Sequence, residues 1–139
     1  MKTIVAIVTV LLSLGLQAQQ INITPKPVSV IVNDGSYEIT PQTKIFLAKQ
    51  TLQNSADFFN DYLQKFYGFR LTIATKQTNN NIEFTTVKDN TESKHADGYS
   101  LKVDKSKTII TGANDAGVFY GMQTLIQLLP LALDQFWFL

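Results

Sequence analysis

The chain has 139 residues, of which 45% are apolar and 17% charged, which indicates a folded domain and excludes a disordered protein. A (β/α)8 barrel needs about 250 residues, so a chain of this length excludes that architecture. The 12 basic and 11 acidic residues nearly balance, so no excess of positive charge indicates nucleic-acid binding.

The first 18 residues predict a signal peptide. Lys2 supplies a positive start, residues 4–16 are mostly apolar, and Ala18 offers a small residue for cleavage. The apolar run is shorter than the roughly 20 residues of a membrane-spanning helix. We therefore expect export of a soluble protein, free of the membrane after cleavage, to the periplasm or the extracellular space. Cysteine is absent, which excludes disulfides and the lipid anchor of a lipoprotein.

Short strands and one helix are predicted next. β-Branched residues indicate a strand at 28–32, residues 33–35 form a turn signal, and further strands are expected at 36–39 and 44–47. Apolar residues then recur at helical spacing from about residue 51 to 67, and Gly68 follows where helices commonly end. The predicted buried face of this helix is Leu52, Ala56, Phe59, Leu63 and Phe66. Its predicted solvent side is Gln53, Asn54, Asp57, Asn60, Asp61 and Gln64.

The second half of the chain predicts four strands and a final helix. Strands are expected at 71–74 and 82–87, followed by a polar loop. Tyr99, Leu101 and Val103 alternate with polar residues, and a polar tip at 104–107 leads into a strand at 108–111, which is typical of an antiparallel hairpin.

The last helix begins after a polar residue and ends at a proline. Asn114 or Asp115 suits the N-terminal cap, and Pro130 stops the helix. The predicted buried face is Val118, Met122, Leu125 and Leu129. Strands outnumber helices without alternating with them, so we predict an α+β domain whose antiparallel-rich sheet carries two helices on one face.

Few residues suit catalysis. His95 is the only histidine and lies in a polar loop, where we expect a solvated side chain. Asp57 and Asp61 lie one helical turn apart, where two carboxylates repel each other mildly, so a surface position is expected. We expect no catalytic residue, no metal site and no cofactor in this chain.

Two sequence features have ordinary structural explanations. Gly117 and Gly121 lie inside the last helix and lack the spacing of a dinucleotide or phosphate loop, so they predict close packing against the sheet. Lys102, Lys105 and Lys107 are interrupted by Asp104, so they indicate a solvated hairpin tip.

Four segments in order resemble one enzyme family. They are residues 23–27 (ITPKP), 35–39 (GSYEI), 98–103 (GYSLKV) and 117–130 (GVFYGMQTLIQLLP). They are similar to the N-terminal accessory domain of bacterial β-N-acetylhexosaminidases of glycoside hydrolase family 20. The resemblance covers residues 20–130, and the last segment is its most specific part.

The resemblance implies an accessory domain that precedes a (β/α)8 barrel in the same chain. In that family the barrel removes terminal N-acetylglucosamine or N-acetylgalactosamine from β-linked glycans. An adjacent Asp-Glu pair carries the reaction without a metal or an organic cofactor. Residues 19–130 would be the accessory domain.

The functional residues that the resemblance implies have no match in this sequence. It contains no Asp-Glu dipeptide, and Trp137 is its only tryptophan. Residues 131–139 are mostly apolar where the family continues into the barrel, so we expect a truncated or frame-shifted reading frame. The chain alone should have no glycosidase activity.

Two alternatives remain open from the sequence. Similar accessory domains precede the barrels of O-linked N-acetylglucosaminidases and of some α-glucuronidases. A stand-alone carbohydrate-binding module would need an aromatic platform, for which Tyr62, Tyr67 and Phe69 are candidates, although their placement in the core is the simpler interpretation.

Overall fold

The computed structural model describes residues 22–33, 35–87 and 96–130. The elements are β1 (Lys44–Leu47), α1 (Gln53–Tyr67), β2 (Thr72–Ala74), β3 (Asn81–Thr86), β4 (Tyr99–Val103), β5 (Lys107–Gly112) and α2 (Asp115–Leu128). A 3₁₀ turn, Gln50–Leu52, leads into α1. The predicted signal peptide, His95, Trp137, most of the polar loop after residue 87 and the tail at 131–139 lie outside the described residues.

The described strands form one mixed sheet in the order β2-β1-β3-β5-β4. β1 is parallel to both β2 and β3, and β3 is parallel to β5. The predicted hairpin of β4 and β5 is confirmed and supplies the antiparallel pairing. The α+β class is therefore confirmed, whereas the expectation of an antiparallel-rich sheet is wrong.

Two connections explain the parallel pairings. α1 carries the chain from the end of β1 back to the start of β2, so these strands run in the same direction. β2 is only about 10 Å long. The six residues 75–80 are therefore enough to lead the chain back to the level where β2 starts, past β1 and into β3 on the other side of β1. Where this segment passes β1, the main-chain N–H of Lys44 donates to the carbonyl oxygen of Asn80.

One hydrophobic core lies between the sheet and both helices. Ile45, Ile82, Phe84 and Ile110 point to the same face of the sheet and are fully buried. They form one cluster with buried residues of both helices, so both helices cover this face as predicted. The helix residues of the cluster are Ala56, Phe59, Leu63, Val118, Met122 and Leu125.

The two predicted strands before β1 are not formed. Residues 28–32 and 36–39 have no strand pairing, and the side chains of Val28 and Ile31 are 100% and 83% exposed. β-Branched residues favour a strand by packing on neighbours, and these side chains have no such burial. The segment is held instead at its ends. The Thr24 main chain exchanges two hydrogen bonds with the Gln127 side chain, and the Tyr37 hydroxyl donates to Asn80.

α1 has the predicted length and end, with two corrections on its faces. Gly68 takes a left-handed conformation with φ of 79° as its C-cap. Phe66 is 39% exposed, because Tyr67 packs against the core in its place. Asn60, expected in solvent, is 4% exposed because its amide bonds to the main chain of Leu71.

α2 begins and ends as predicted. The side-chain oxygen of Asn114 accepts a hydrogen bond of 2.9 Å from the main-chain N–H of Gly117, which caps the helix. Leu129 is extended, as expected for the residue before Pro130. Leu129 is half-buried rather than fully buried, because the helix has ended before it.

The two α2 glycines pack closely against the β4–β5 hairpin, as predicted. A Cβ atom on Gly117 would lie 2.5 Å from the carbonyl oxygen of Gly98. A Cβ atom on Gly121 would lie 2.5 Å from a methyl carbon of Ile110 and 3.1 Å from the Tyr99 ring. The helix therefore approaches the sheet at a distance that only glycine permits at these positions.

Neither helix in the described ranges has the length and apolar character needed to cross a membrane.

Candidate functional site

The carboxylates that the sequence singled out lie apart from any catalytic arrangement. The Asp57 carboxylate accepts a hydrogen bond of 2.9 Å from Gln53, and Asp61 forms an ion pair of 2.6 Å with Arg70. Both carboxylates are on the surface, as predicted. Among residues 22–33, 35–87 and 96–130, no three His, Cys, Asp or Glu side chains come together as a metal site.

The lysines of the hairpin flank a hydrogen-bonded aspartate in the sequence. The Asp104 carboxylate accepts bonds from the main-chain N–H of Ser106, from its hydroxyl and from the main-chain N–H of Lys107. The two bonds from Ser106, followed by the single bond from Lys107 and by the positive charge of its side chain, lower the pKa of Asp104. Lys102 and Lys105 are exposed, so this part of the chain is the solvated tip that the sequence predicted.

The main candidate for function is an exposed aromatic surface on the two helices. Phe58, Tyr62 and Phe66 follow one another at intervals of four residues along α1, and Phe119 and Tyr120 lie at the start of α2. We call these five residues the aromatic helix face. The spacing places the three α1 rings on one side of the helix, next to its buried side.

Ring contacts join the two helices across this surface. The rings of Phe58 and Phe119 meet edge to face with centroids 5.4 Å apart, and those of Tyr62 and Phe66 are 4.6 Å apart. Phe58, Phe66 and Tyr120 are 45%, 39% and 49% exposed. Large aromatic side chains held in contact with each other while exposed to water are typical of a surface that another protein covers.

The candidate sugar-binding platform of Tyr62, Tyr67 and Phe69 is not flat. The planes of Tyr62 and Tyr67 are inclined by 48°, and those of Tyr67 and Phe69 by 59°. Tyr67 and Phe69 are half-buried against the core, in agreement with the simpler interpretation, whereas Tyr62 lies outside the core cluster, on the aromatic helix face. Burial, with a smaller effect of Tyr62, raises the pKa of Tyr67, whose hydroxyl donates to the carbonyl oxygen of Pro130.

Sequence reasoning missed most of the aromatic helix face. The signal was the interval of four between Phe58, Tyr62 and Phe66, which runs beside the buried stripe of α1. A second stripe of large apolar residues on a helix indicates a second packing partner.

The sequence matches the model of the family described as Glycosyl hydrolase family 20, domain 2, over residues 20–135. The Beta-hexosaminidase of Porphyromonas gingivalis is 33% identical over 115 residues, which are 82% of this chain and 15% of that protein.

Solved structures give the same result. The family 20 β-N-acetylhexosaminidase of Streptomyces coelicolor superposes with a TM-score of 0.65 at 30% identity, over 78% of this chain and 21% of that one. The chitobiase of Flavobacterium johnsoniae superposes with a TM-score of 0.64 at 25% identity, over 83% of this chain and 19% of that one. The chain thus spans about a fifth or less of the relatives it matches. Their common segment is domain 2 of glycoside hydrolase family 20, and this chain belongs to that family.

Proposed function

We propose that the chain is the non-catalytic N-terminal domain of an exported β-N-acetylhexosaminidase, and that it stabilises the enzyme's catalytic barrel. The names of the relatives support the enzyme class. The small share of each relative that the chain covers supports a role as one part of a longer enzyme. The parent enzyme would hydrolyse terminal β-linked N-acetylglucosamine or N-acetylgalactosamine from glycans.

The aromatic helix face is the observation that carries the stabilising role. The sheet covers one side of the helices, while Phe58, Phe66 and Tyr120 remain open to water on another side. Burial of such side chains is worth about 25 cal/mol per Å² of apolar surface removed from water. A barrel that covers this face would therefore be stabilised together with the domain.

The place where the chain leaves α2 favours a partner in the same polypeptide. The Tyr67 hydroxyl binds the carbonyl oxygen of Pro130, and the Tyr67 ring lies 6.3 Å from that of Tyr62. Pro130 is therefore held beside the aromatic helix face. If a barrel follows Pro130 in the sequence, its covalent connection would raise its effective concentration at the aromatic helix face.

The division of the chain follows from the same proposal. Residues 1–18 would direct export and be removed, residues 19–130 would form the accessory domain, and residues 131–139 would lead from this domain towards the barrel. The mature domain would act in the periplasm or outside the cell, without a cofactor. The Asp-Glu pair of the family is absent from the sequence, so the chain alone should not hydrolyse a chromogenic β-N-acetylglucosaminide.

A chimera tests the stabilising role. Residues 20–135 replace the matching segment of the Porphyromonas gingivalis enzyme, and the half-life of hexosaminidase activity is measured at raised temperature. We expect an active chimera whose half-life falls when Phe58 and Phe66 are both changed to Ser. Lys102→Ser, an exposed change on the other side of the sheet, is the matched control. An equal half-life for the aromatic variant and the control would contradict the proposal.

A further inference from the structure

A polar groove lies at the end of the sheet that carries the tip of the β4–β5 hairpin. It consists of two adjoining cavities of about 270 and about 510 Å³, which share Asn79 and Ser106 in their walls. The volume of the larger cavity is in the range of sites that hold a small molecule. We call them together the hairpin-tip groove.

A buried amide without a partner forms part of the wall of the smaller cavity. Asn81 is 1% exposed, and neither its Nδ2 nor its Oδ1 atom has a hydrogen-bond partner within the described part of the chain. Asn81 lies on the sheet face opposite the helices, with Lys44 and Lys107 as its cross-strand neighbours. Buried amides are almost always hydrogen-bonded in proteins, so this donor and acceptor require an explanation.

Among the residues that the structure describes, the charges that line the groove cancel within each cavity. Lys107 and Glu83 line the smaller cavity, and Lys105 and Glu38 line the larger one. A site for a phosphate or another anion would show an excess of cationic groups, and a cation site would show an excess of carboxylates. One charge of each sign in each cavity favours a neutral ligand.

The remaining walls offer many hydrogen-bonding groups and one aromatic ring. Gln77, Thr78 and Ser106 supply amide and hydroxyl groups that donate and accept. The Tyr37 ring lines the larger cavity, and its hydroxyl is held by a bond of 2.8 Å to Asn80. Alternating donors and acceptors beside a fixed ring suit a molecule with several hydroxyl groups on an apolar carbon frame.

We propose that the hairpin-tip groove binds a neutral polyhydroxylated ligand of the carbohydrate class, with the Asn81 amide as its polar anchor. On binding, the ligand displaces side chains that bury the Asn81 amide and provides a donor and an acceptor for it. This role goes beyond the proposed function, because the groove lies at the sheet and the aromatic helix face lies on the helices. The chimera experiment can therefore fail or succeed independently of the groove.

Nuclear magnetic resonance on the isotope-labelled chain tests the groove. Diacetylchitobiose, maltose and inorganic phosphate are titrated separately while the main-chain amide signals are followed. We expect at least one of the two sugars to cause saturable shifts at residues 77–83 and 104–107, with millimolar affinity, and phosphate to cause none. Asn81→Leu, which keeps the size of the side chain, should weaken sugar binding by about tenfold or more.

A matched control separates loss of binding from loss of folding. Thr108→Val also removes a buried polar group that has no partner among the residues described by the structure, but Thr108 points to the helix side of the sheet. It should leave sugar binding unchanged, and thermal unfolding should show both variants folded. Ser106→Ala, an exposed change in the shared wall, should weaken binding even if Asn81→Leu fails to fold. The proposal is overturned if neither sugar gives saturable shifts, if the shifts fall on Tyr62 and Phe66 instead, or if phosphate binds and the sugars do not.

Discussion

The side-chain amide of Asn60 hydrogen-bonds both main-chain groups of Leu71. Its Nδ2 atom donates to the Leu71 carbonyl oxygen at 3.0 Å, and its Oδ1 atom accepts from the Leu71 N–H at 2.7 Å. Both residues are buried. The amide thus takes the place of a neighbouring strand for the residue before β2, and it fixes the start of that strand against α1.

Asn60→Ala should lower the free energy of unfolding by about 1–3 kcal/mol, because it leaves a buried N–H and a buried carbonyl without partners. Urea unfolding followed by circular dichroism measures the change. Asn54→Ala, on the exposed side of α1, is the control and should change stability by less than about 0.5 kcal/mol. Equal effects of the two variants would show that the Asn60 bonds add nothing to stability.

Alanine at either glycine of α2 should destabilise the domain, although alanine is the better helix former. The Cβ atom would overlap the hairpin, at a cost of about 1–3 kcal/mol. Gly117→Ala should cost more than Gly121→Ala, because the first Cβ atom would overlap the main-chain carbonyl of Gly98, whereas the second would overlap side-chain atoms of Ile110 and Tyr99. Thermal unfolding checks the order. A stabilising effect of Gly117→Ala would refute the close approach of α2 to the sheet.

Asp104 should make the hairpin sensitive to acid. Its pKa in the folded chain lies below the ordinary value of 3.8, so its contribution to stability is complete above that value. The contribution is lost as the pH falls through the lowered pKa. Asp104→Asn should therefore reduce stability at neutral pH and flatten the loss of stability as the pH falls below about 4. Parallel curves of stability against pH for both proteins would contradict this account.

The aromatic helix face should make the isolated chain associate with itself. Changing Phe58 and Phe66 together to Ser should weaken this association by about tenfold or more, because few aromatic residues carry most of the energy of an interface. Sedimentation velocity over a range of concentrations measures it, with Lys102→Ser as the control. A chain that stays monomeric at every concentration would leave the face without a role in association.

The spacing of apolar residues predicted the helices and strands that pack in the core. It did not predict which polar side chains are buried. The intervals of Leu52, Ala56, Phe59 and Leu63 predicted the buried side of α1 because burial of an apolar stripe is what stabilises such a helix. Asn60 and Asn81 could not be found in this way. A buried amide is recognised by its partners or by their absence, and these depend on distant parts of the chain.

The strand directions also depended on information that the local pattern does not hold. Alternation at Tyr99, Leu101 and Val103 predicted the β4–β5 hairpin, since both strands and their turn are contiguous. The pairing of β1 with both β2 and β3 depends on the path of residues 75–80 around β1. At residues 28–32 the local pattern predicted a strand that is not formed. The segment has a high strand propensity, but no neighbouring strand pairs with it.

The two hydrogen bonds between the Thr24 main chain and the Gln127 side chain join residues that are 103 positions apart. The first and the last described segments of the domain therefore lie side by side. Such a unit can be joined to, exchanged between or inserted into longer polypeptides without stretching either connection. A peptide linker from Pro130 to Asn22, with new termini opened at an exposed loop, should accordingly give a circularly permuted domain with the same sheet and helices.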